Sequence, residues 1–349
     1  MASPLSWSRR GSVRGARSAS KHGRSDMKAE LWGACVAGVF CVPLGQTFAL
    51  DYPTKPVRVM VPFTAGGGVD TAGRIVAQQL TETFGQTAVV DNRPGAGSII
   101  GTNIAAKSAA DGYTLLVSHN AFVISPALYQ KLPYDAVRDF AQVAIIGLTT
   151  NALVINPTVP ARSVKELIAH LKSKPGELNY ASAGAGGTAH LAMEYFMLAT
   201  GTQLVHVPYK GAAAPLVDMV GGRIQVASMA LPTTLPFINS KQLVALATTG
   251  AKRSAFLPEL PTIDEAGVPG YEFDVWYGVH VPVKTPREII VKLNTAIGKA
   301  LREPAVKQRL ANAGIEAAGP ATPEEFAKFV RAEMEKMRKI VKASGARPE

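Results

Sequence analysis

The stretch Pro62-Phe63-Thr64-Ala65-Gly66-Gly67-Gly68-Val69-Asp70 decides how this chain is read. It follows a short β-like run, Val57-Arg58-Val59-Met60-Val61, and leads into a helical pattern carried by Ala72, Ile75, Val76, Leu80 and Phe84. Strand, glycine turn and helix, in that order, leave unpaired backbone N–H groups pointing out of a helix N-terminus. Consecutive glycines allow positive φ angles and let a ligand approach without meeting a Cβ. A second such unit follows about half a chain later. There Leu178-Asn179-Tyr180-Ala181-Ser182 runs into Ala183-Gly184-Ala185-Gly186-Gly187-Thr188, then into a helix through Leu191, Tyr195 and Leu198. Two such N-termini on two halves of one chain predict a cleft that closes on an anion.

Between and beyond these units the pattern is α/β. Residues 88–90 read as a strand, 91–97 as a turn-rich loop, and a short helix passes through Ile100, Ile104 and Ala105. Tyr113-Thr114-Leu115-Leu116-Val117 is a buried strand ending at Ser118-His119-Asn120. This β-α-β-α-β alternation marks a parallel sheet with helices on both faces. Residues 140–155 supply one or two strands, and Ser163-Val164-Lys165-Glu166 opens a helix with capping-box spacing. The second half repeats the grammar with strands near 203–207, 223–229 and 243–248 and a helix over 212–219. Residues 276–282 are extended. Two tail helices follow, each started by Thr-Pro-x-Glu (285–288 and 322–325), which predicts proline at the first helical position of both.

The 349 residues are 47% hydrophobic, enough for two domains. Net charge is +11, but residues 1–49 hold seven basic residues against two acidic ones, leaving +6 for the rest. That modest excess has no clustered basic-aromatic stripe, so no nucleic-acid partner is expected. Lys28, the apolar run 31–44 and the small-residue site Thr47-Phe48-Ala49 read as a secretory leader cleaved near Ala49, with Met27 as the start. The run is shorter than the roughly 20 apolar residues of a spanning helix. Both cysteines, Cys35 and Cys41, lie inside the leader, so the mature chain has no disulfide, thiolate metal site or cysteine nucleophile.

The motifs Pro62-Phe63-x-Ala65-Gly66-Gly67-x-x-Asp70, Asn92-Arg93-Pro94-Gly95-Ala96-Gly97 and Ser182-Ala183-Gly184-x-Gly186-x-x-x-His190-Leu191 appear in that order. His206-Val207-Pro208-Tyr209-Lys210-Gly211, Asp218-Met219-Val220-Gly221-Gly222 and Leu257-Pro258-Glu259-Leu260-Pro261-Thr262 follow. Across nearly everything from Tyr52 onward the chain resembles the Bug family, the periplasmic solute-binding proteins of tripartite tricarboxylate transporters. The resemblance implies a type II periplasmic-binding-protein fold: two Rossmann-like α/β domains, two crossover strands and a ligand cleft between them. It places domain 1 at 50–152 and 277–349 and domain 2 at 153–276, with the C-terminal helices returning to domain 1. It also implies a carboxylate gripped between the glycine loops, which maps onto Phe63, Thr64, Ala65, Gly66, Gly67 and Asp70, and onto Ser182, Ala183, Gly184, Gly186, Thr188 and His190. Ser118 and Asn120 join this set as residues at the C-terminal end of a strand, where open α/β sheets bind ligands. Lys210 and Gly211 join it because they precede another helix. Gly68, a third glycine where the family varies, is expected to loosen the first loop.

Asp70 suits a supporting role better than direct contact with an anion, and His190 near a helix start reads as hydrogen-bonded structure. No cofactor, metal or catalytic residue is expected, and the protein is expected to work as a monomeric periplasmic receptor beside integral-membrane transporter subunits. Two alternatives stand beside this: a ligand sensor for a signalling receptor, and a secreted hydrolase using Ser182 and His190. A dinucleotide enzyme is disfavoured. Residues 184–189 match G-x-G-x-x-G/A, but Val205-His206-Val207-Pro208-Tyr209 supplies no acidic residue at the end of the next strand.

Overall fold

The computed structural model describes residues 51–209 and 213–347. The leader at 1–49 and the candidate residues Lys210 and Gly211 therefore lie outside the described residues.

Strand β1 (Val57–Val61) pairs in parallel with β2 (Ala88–Asn92) on one side and β3 (Thr114–His119) on the other. Val59, Met60, Val61, Leu115, Leu116 and Val117 are all fully buried. Both pleat faces are covered, which is why these strands read as apolar runs with no alternation. The connecting helices are α1 (Gly68–Phe84) and α2 (Ile99–Ala106).

The sheet continues antiparallel from β3 to β9 (Asp274–Pro282) and from β9 to β4 (Phe140–Ile155). Strand β4 changes partners along its length. Residues 140–150 pair with β9, whereas 151–155 pair with β7 (Val226–Ala230) and β8 (Val244–Thr248). Beyond β7 lie β5 (Asn179–Ser182) and β6 (Val205–Pro208), both in parallel register. The partner change at Thr150 and Asn151 sits beside the start of β9, where Asp274 pairs with Thr150. A two-residue strand, β10 (Glu316–Ala317), caps the edge of β4.

The remaining helices are α3 (Ala121–Leu128), α4 (Val164–Ser173), α5 (Thr188–Thr200), α6 (Ala213–Val220), α7 (Leu231–Asn239), α8 (Arg287–Ala300), α9 (Pro304–Asn312) and α10 (Pro323–Ser344). Helix α8 packs Ile289, Ile290 and Leu293 into the same core as Val59 and Val61. Helix α10 does more than return to the first half. Its Phe326, Val330, Met334 and Met337 share one apolar cluster with Phe122 and Val123 of α3 and with Leu191, Met193 and Phe196 of α5.

Only one of the two Thr-Pro-x-Glu starts forms a capping box. Thr322 accepts from the Glu325 N–H while the Glu325 carboxylate accepts from the Thr322 N–H at 2.7 Å. At 285–288 the hydroxyl of Thr285 donates instead to Pro282 O at 2.7 Å, and Pro286 becomes the N-cap. The buried turn before α8 takes the threonine that the sequence pattern assigned to the helix.

Candidate functional site

The two glycine loops have the same backbone. In the first, Gly66 has φ 89° and Gly67 is the N-cap of α1 at φ −83°, ψ 172°; in the second, Gly186 has φ 71° and Gly187 is the N-cap of α5 at φ −77°, ψ 173°. Neither N-cap has a side chain to satisfy the first turn, so the first helical N–H groups face outward. In each loop the side chain four residues after the left-handed glycine reaches back to that glycine's N–H. Asp70 Oδ2 accepts from Gly66 N–H at 2.9 Å, and His190 Nδ1 accepts from Gly186 N–H at 2.8 Å.

Asp70 is buried and fully occupied. Its Oδ2 also takes Arg74 Nε at 2.9 Å, and its Oδ1 takes Asn92 Nδ2 at 2.9 Å; the same Asn92 amide donates to Phe63 O at 3.1 Å. Burial by itself would raise the carboxyl's pKa. The bonds from Arg74, Gly66 and Asn92 outweigh it and hold the group below the ordinary range.

The second loop rests on stacked rings. His190 lies 4.0 Å from His206 at an interplanar angle of 5°, and the Tyr180 ring stacks on His206 at 4.8 Å, 6.3 Å from His190. Ser182 Oγ contacts His206 Nε2 at 2.7 Å and donates to Gly184 O at 3.1 Å. Because His190 Nδ1 is an acceptor, its ring proton sits on Nε2, which faces Glu194 Oε1 at 3.5 Å. The Tyr180 hydroxyl donates to the same oxygen at 2.5 Å. Burial would raise Glu194, yet the bonds from His190 and Tyr180 keep it below the usual glutamate range. Burial, reinforced by the neighbouring His190, pushes His206 down to about 4.

A cavity of about 380 Å³ opens against this second loop. Residues 183–189 form one wall, so Ala183, Gly184, Gly186 and Thr188 of the expected set face it; Phe63, His119, Ile124, Leu128 and Tyr129 form the other. Ser182 and His190 are buried behind the loop. Thr64, Ala65, Gly66 and Gly67 are exposed and stand outside that wall. Ser118 and Asn120 were expected at the cleft, but their polar groups are spent within the fold. Ser118 Oγ meets His280 Nε2 at 2.9 Å, and Asn120 bridges β9 by donating to Asp274 O and accepting from Trp276 N–H. Gly68 is not loose either: a Cβ there would lie 2.5 Å from the Tyr277 hydroxyl.

Ser182 and His190 of the hydrolase alternative are not bonded to each other, and the buried Asp70 orients neither. Ser182 is paired with His206, and Asp70 belongs to the network around the first loop. Among the described residues, no group of three His, Cys, Asp or Glu side chains could hold a metal ion.

Sequence reasoning missed His119 and the face of α3. The His119 ring packs on Phe63 at 4.6 Å with a tilt of 36°, and its Nδ1 accepts Ala121 N–H at 2.9 Å, leaving the proton on Nε2. Burial depresses its pKa to about 4. Its place next to Ser118 at the end of β3 was the available signal.

Two α/β halves that share β4, with an apolar cavity against a helix N-terminus, define a solute-binding receptor of the periplasmic-binding-protein fold. Solved periplasmic proteins of this kind superpose with TM-scores of 0.72 to 0.75. A model of the tripartite tricarboxylate transporter family receptors matches residues 72–346, and the chain belongs to that family. It is 37% identical to BugT of Bordetella pertussis over 89% of this chain and 97% of that one. Rpa4515 of R. palustris, solved with adipate, is 37% identical at a TM-score of 0.75, covering 85% of this chain and 100% of its own. MatC of Rhodopseudomonas palustris, solved with malate, is 29% identical at 0.72, covering 83% and 100%.

Proposed function

We propose that this protein is a periplasmic receptor that traps a small carboxylate between its two halves and delivers it to a tripartite tricarboxylate-type membrane transporter. The observation that carries the reading is the cavity built directly on the N-terminus of α5, with residues 183–189 as its wall. Adipate and malate in the two solved relatives support the carboxylate class. Delivery to the transporter rests on family membership. Phe63, Ala183, Gly184, Gly186 and Thr188 contact the ligand in this reading. Thr64, Ala65, Gly66 and Gly67 join from the first loop on closure, while Asp70, Ser182 and His190 hold the loops in shape. Ser118 and Asn120 have no part in it. The protein acts as a non-catalytic monomer, exported by the leader at 1–49.

Magnitudes favour two loops over one. A hydrogen bond to an ionised group contributes about 1.5–3 kcal/mol, and a helix N-terminus adds roughly 0.3–2 kcal/mol. Micromolar binding requires about −8 kcal/mol over an association cost of at least ~4 kcal/mol. One loop falls short, and two closing together reach it. Closure is then a population shift driven by contacts made only in the closed state. We place the hinge on β4 and β9, dividing the chain into 50–152 with 277–349 and 153–276. The partner change of β4 at Thr150 and Asn151 supports a division close to that one.

The test is a thermal-shift screen of the chain from Leu50 against carboxylic acids and their uncharged amides. A ligand at a hundredfold excess over Kd adds about 2.7 kcal/mol of stability. Shifts confined to carboxylates support the receptor; shifts with amides as large as with acids sink it.

A further inference from the structure

Three segments meet where β4 changes partners: residues 149–151, residues 249–251 just after β8, and residues 272–274 entering β9. Thr249 ties them together. Its N–H donates to Asn151 O at 2.9 Å, its hydroxyl accepts from Asn151 N–H at 3.0 Å, and its carbonyl accepts from Phe273 N–H at 2.7 Å. Asp274 lies in the angle between the segments. Its carbonyl accepts from Asn120 Nδ2 at 2.8 Å, and a Cβ on Gly250 would stand 2.5 Å from its Oδ1. The carboxylate is weakly held, accepting from Ala251 N–H at a long 3.3 Å, whereas Asp70 has three donors at 2.9 Å. Glu272 and Glu333 add repulsion. Lys336 of α10 offsets it, but that ammonium is shared, 3.0 Å from Glu333 and 3.6 Å from Glu272. Burial is the largest influence, and the carboxyl is pushed up to about 6. A pocket of about 320 Å³ opens beside it. Around that pocket Lys252 is exposed, Arg253 pairs with Glu265 at 2.7 Å, and Glu316 accepts from Ala255 N–H at 3.0 Å.

We propose that Asp274 is a proton-linked positioning residue of the hinge. Proton uptake there favours the geometry described, in which Leu128 of α3 lies against the second glycine loop, and ionisation favours geometries that open the carboxylate to water. This inference rests on the reading that the two halves close about β4 and β9. A carboxyl with an ordinary value of ~3.9 that is raised to about 6 in one geometry holds its proton there first. That geometry therefore gains as the pH falls through 6 and loses as it rises. Between pH 7.5 and 5.0 the ratio of compact to open forms should climb by up to about tenfold. The sign is opposite to that of His119, His206 and His280, all lowered by burial, so hinge geometry and not melting temperature is the quantity to follow.

The experiment is single-molecule energy transfer across the hinge. Cys35→Ser and Cys41→Ser leave a chain without thiols, and Val89→Cys with Val217→Cys then place one label on each half, at positions 53% and 63% exposed. In this parent the compact-to-open ratio is expected to rise about five- to tenfold from pH 7.5 to 5.0. Asp274→Asn carries the neutral form at every pH and should hold the ratio within about twofold, near the parent's acid value. Glu333→Gln should keep the rise and lower its midpoint. Lys336→Met removes the neighbouring cation and should raise the midpoint, which keeps the test decisive if Asp274→Asn fails to fold. A single unchanging population, a parent ratio that stays within about twofold, or a full rise retained in Asp274→Asn overturns the proposal. So does a rise abolished by Glu333→Gln alone, or a midpoint unmoved in Lys336→Met. Thermal shifts with carboxylates are read separately. If they persist while the ratio ignores pH, the hinge assignment falls and the receptor reading stands. If no carboxylate shifts the protein while the ratio follows pH as expected, the hinge assignment stands and the receptor reading falls.

Discussion

The two glycine loops reach one backbone shape by different chemistry. Below the first lies a carboxylate, Asp70, with Gly66, Arg74 and Asn92 all donating to it. Below the second lies an imidazole, His190, sandwiched between its bond to Gly186 and its stack on His206. What both share is an acceptor fixed four residues after the left-handed glycine. Loop shape is therefore set from beneath, by whichever acceptor the helix presents on its first turn. The difference lies in how many donors converge: the carboxylate accepts from three groups, whereas the imidazole Nδ1 accepts from Gly186 N–H and the ring is held by stacking.

The largest expected effect comes from Gly186→Val. It forces a β-branched residue into φ 71° and drives its Cβ to within 2.5 Å of Leu128 Cδ1. Carboxylate affinity should fall at least a hundredfold, with stability lower by about 2–4 kcal/mol, read by titration and chemical denaturation. Unchanged affinity would remove the second loop from the site. The matched control is Gly67→Ala, whose φ is −83° and whose Cβ meets nothing within 4 Å. Its stability should stay within about 0.5 kcal/mol of the parent.

Next in size is Asp70→Ala, which strands Gly66 N–H, the Asn92 amide and Arg74. We expect a loss of about 2–3 kcal/mol and weaker binding in a protein that still unfolds cooperatively. His190→Ala removes the bond from Gly186 N–H together with the contact to Glu194 and the ring stacked on His206, and should cost about 1–2 kcal/mol. If the two substitutions cost the same, the idea that a carboxylate anchors more strongly than an imidazole is wrong.

The smallest effect is on pH dependence, which has the same sign for both loops and differs only in its window. His206 is depressed to about 4 in the folded protein, against roughly 6.5 when unfolded. The unfolded chain therefore binds more protons in that window, so stability is fully present above about 6.5 and drains away as the pH falls toward 4. Asp70 is lowered as well, so its contribution has the same sign as that of His206 and lies in a lower pH window. Its contribution is present above the ordinary carboxylate value and is lost only as the pH falls through its own lower one. Melting temperature should decline between pH 6.5 and 4.5, and His206→Asn should flatten part of that decline. Only part is expected to go, since burial also lowers His119 to about 4 and His280 to about 3. An identical slope in the variant would clear His206 of any role.

Much of this was legible in the sequence because strand, glycine turn and helix each have a local cause. The loops, the parallel strands and the 322–325 cap all follow from residues within a few positions of one another. Helix α3 was not legible: Ala121–Leu128 is apolar nearly throughout and contains Pro126, so it shows no helical period. Helix α7 hides in the same way behind Pro232 and Pro236. The full length of β4 was readable, but its change of partners was not, since pairing is decided by β7, β8 and β9 far along the chain. For the same reason the motif carrying His206 was visible while its partnership with Ser182 was not. The role of α10 in joining α3 to α5 likewise belongs to packing alone.

Gly68 links two distant positions through a single atom. Its missing Cβ makes room for the Tyr277 hydroxyl, which would stand 2.5 Å away, while the ring carbon behind it would be at 3.2 Å. Each position thus sets what the other tolerates: alanine at 68 is a clash beside tyrosine and a tight but relaxable contact beside phenylalanine. The pair should behave epistatically, with Tyr277→Phe restoring much of what Gly68→Ala takes away. The third glycine of the motif is then a record of a neighbour from the far end of the chain.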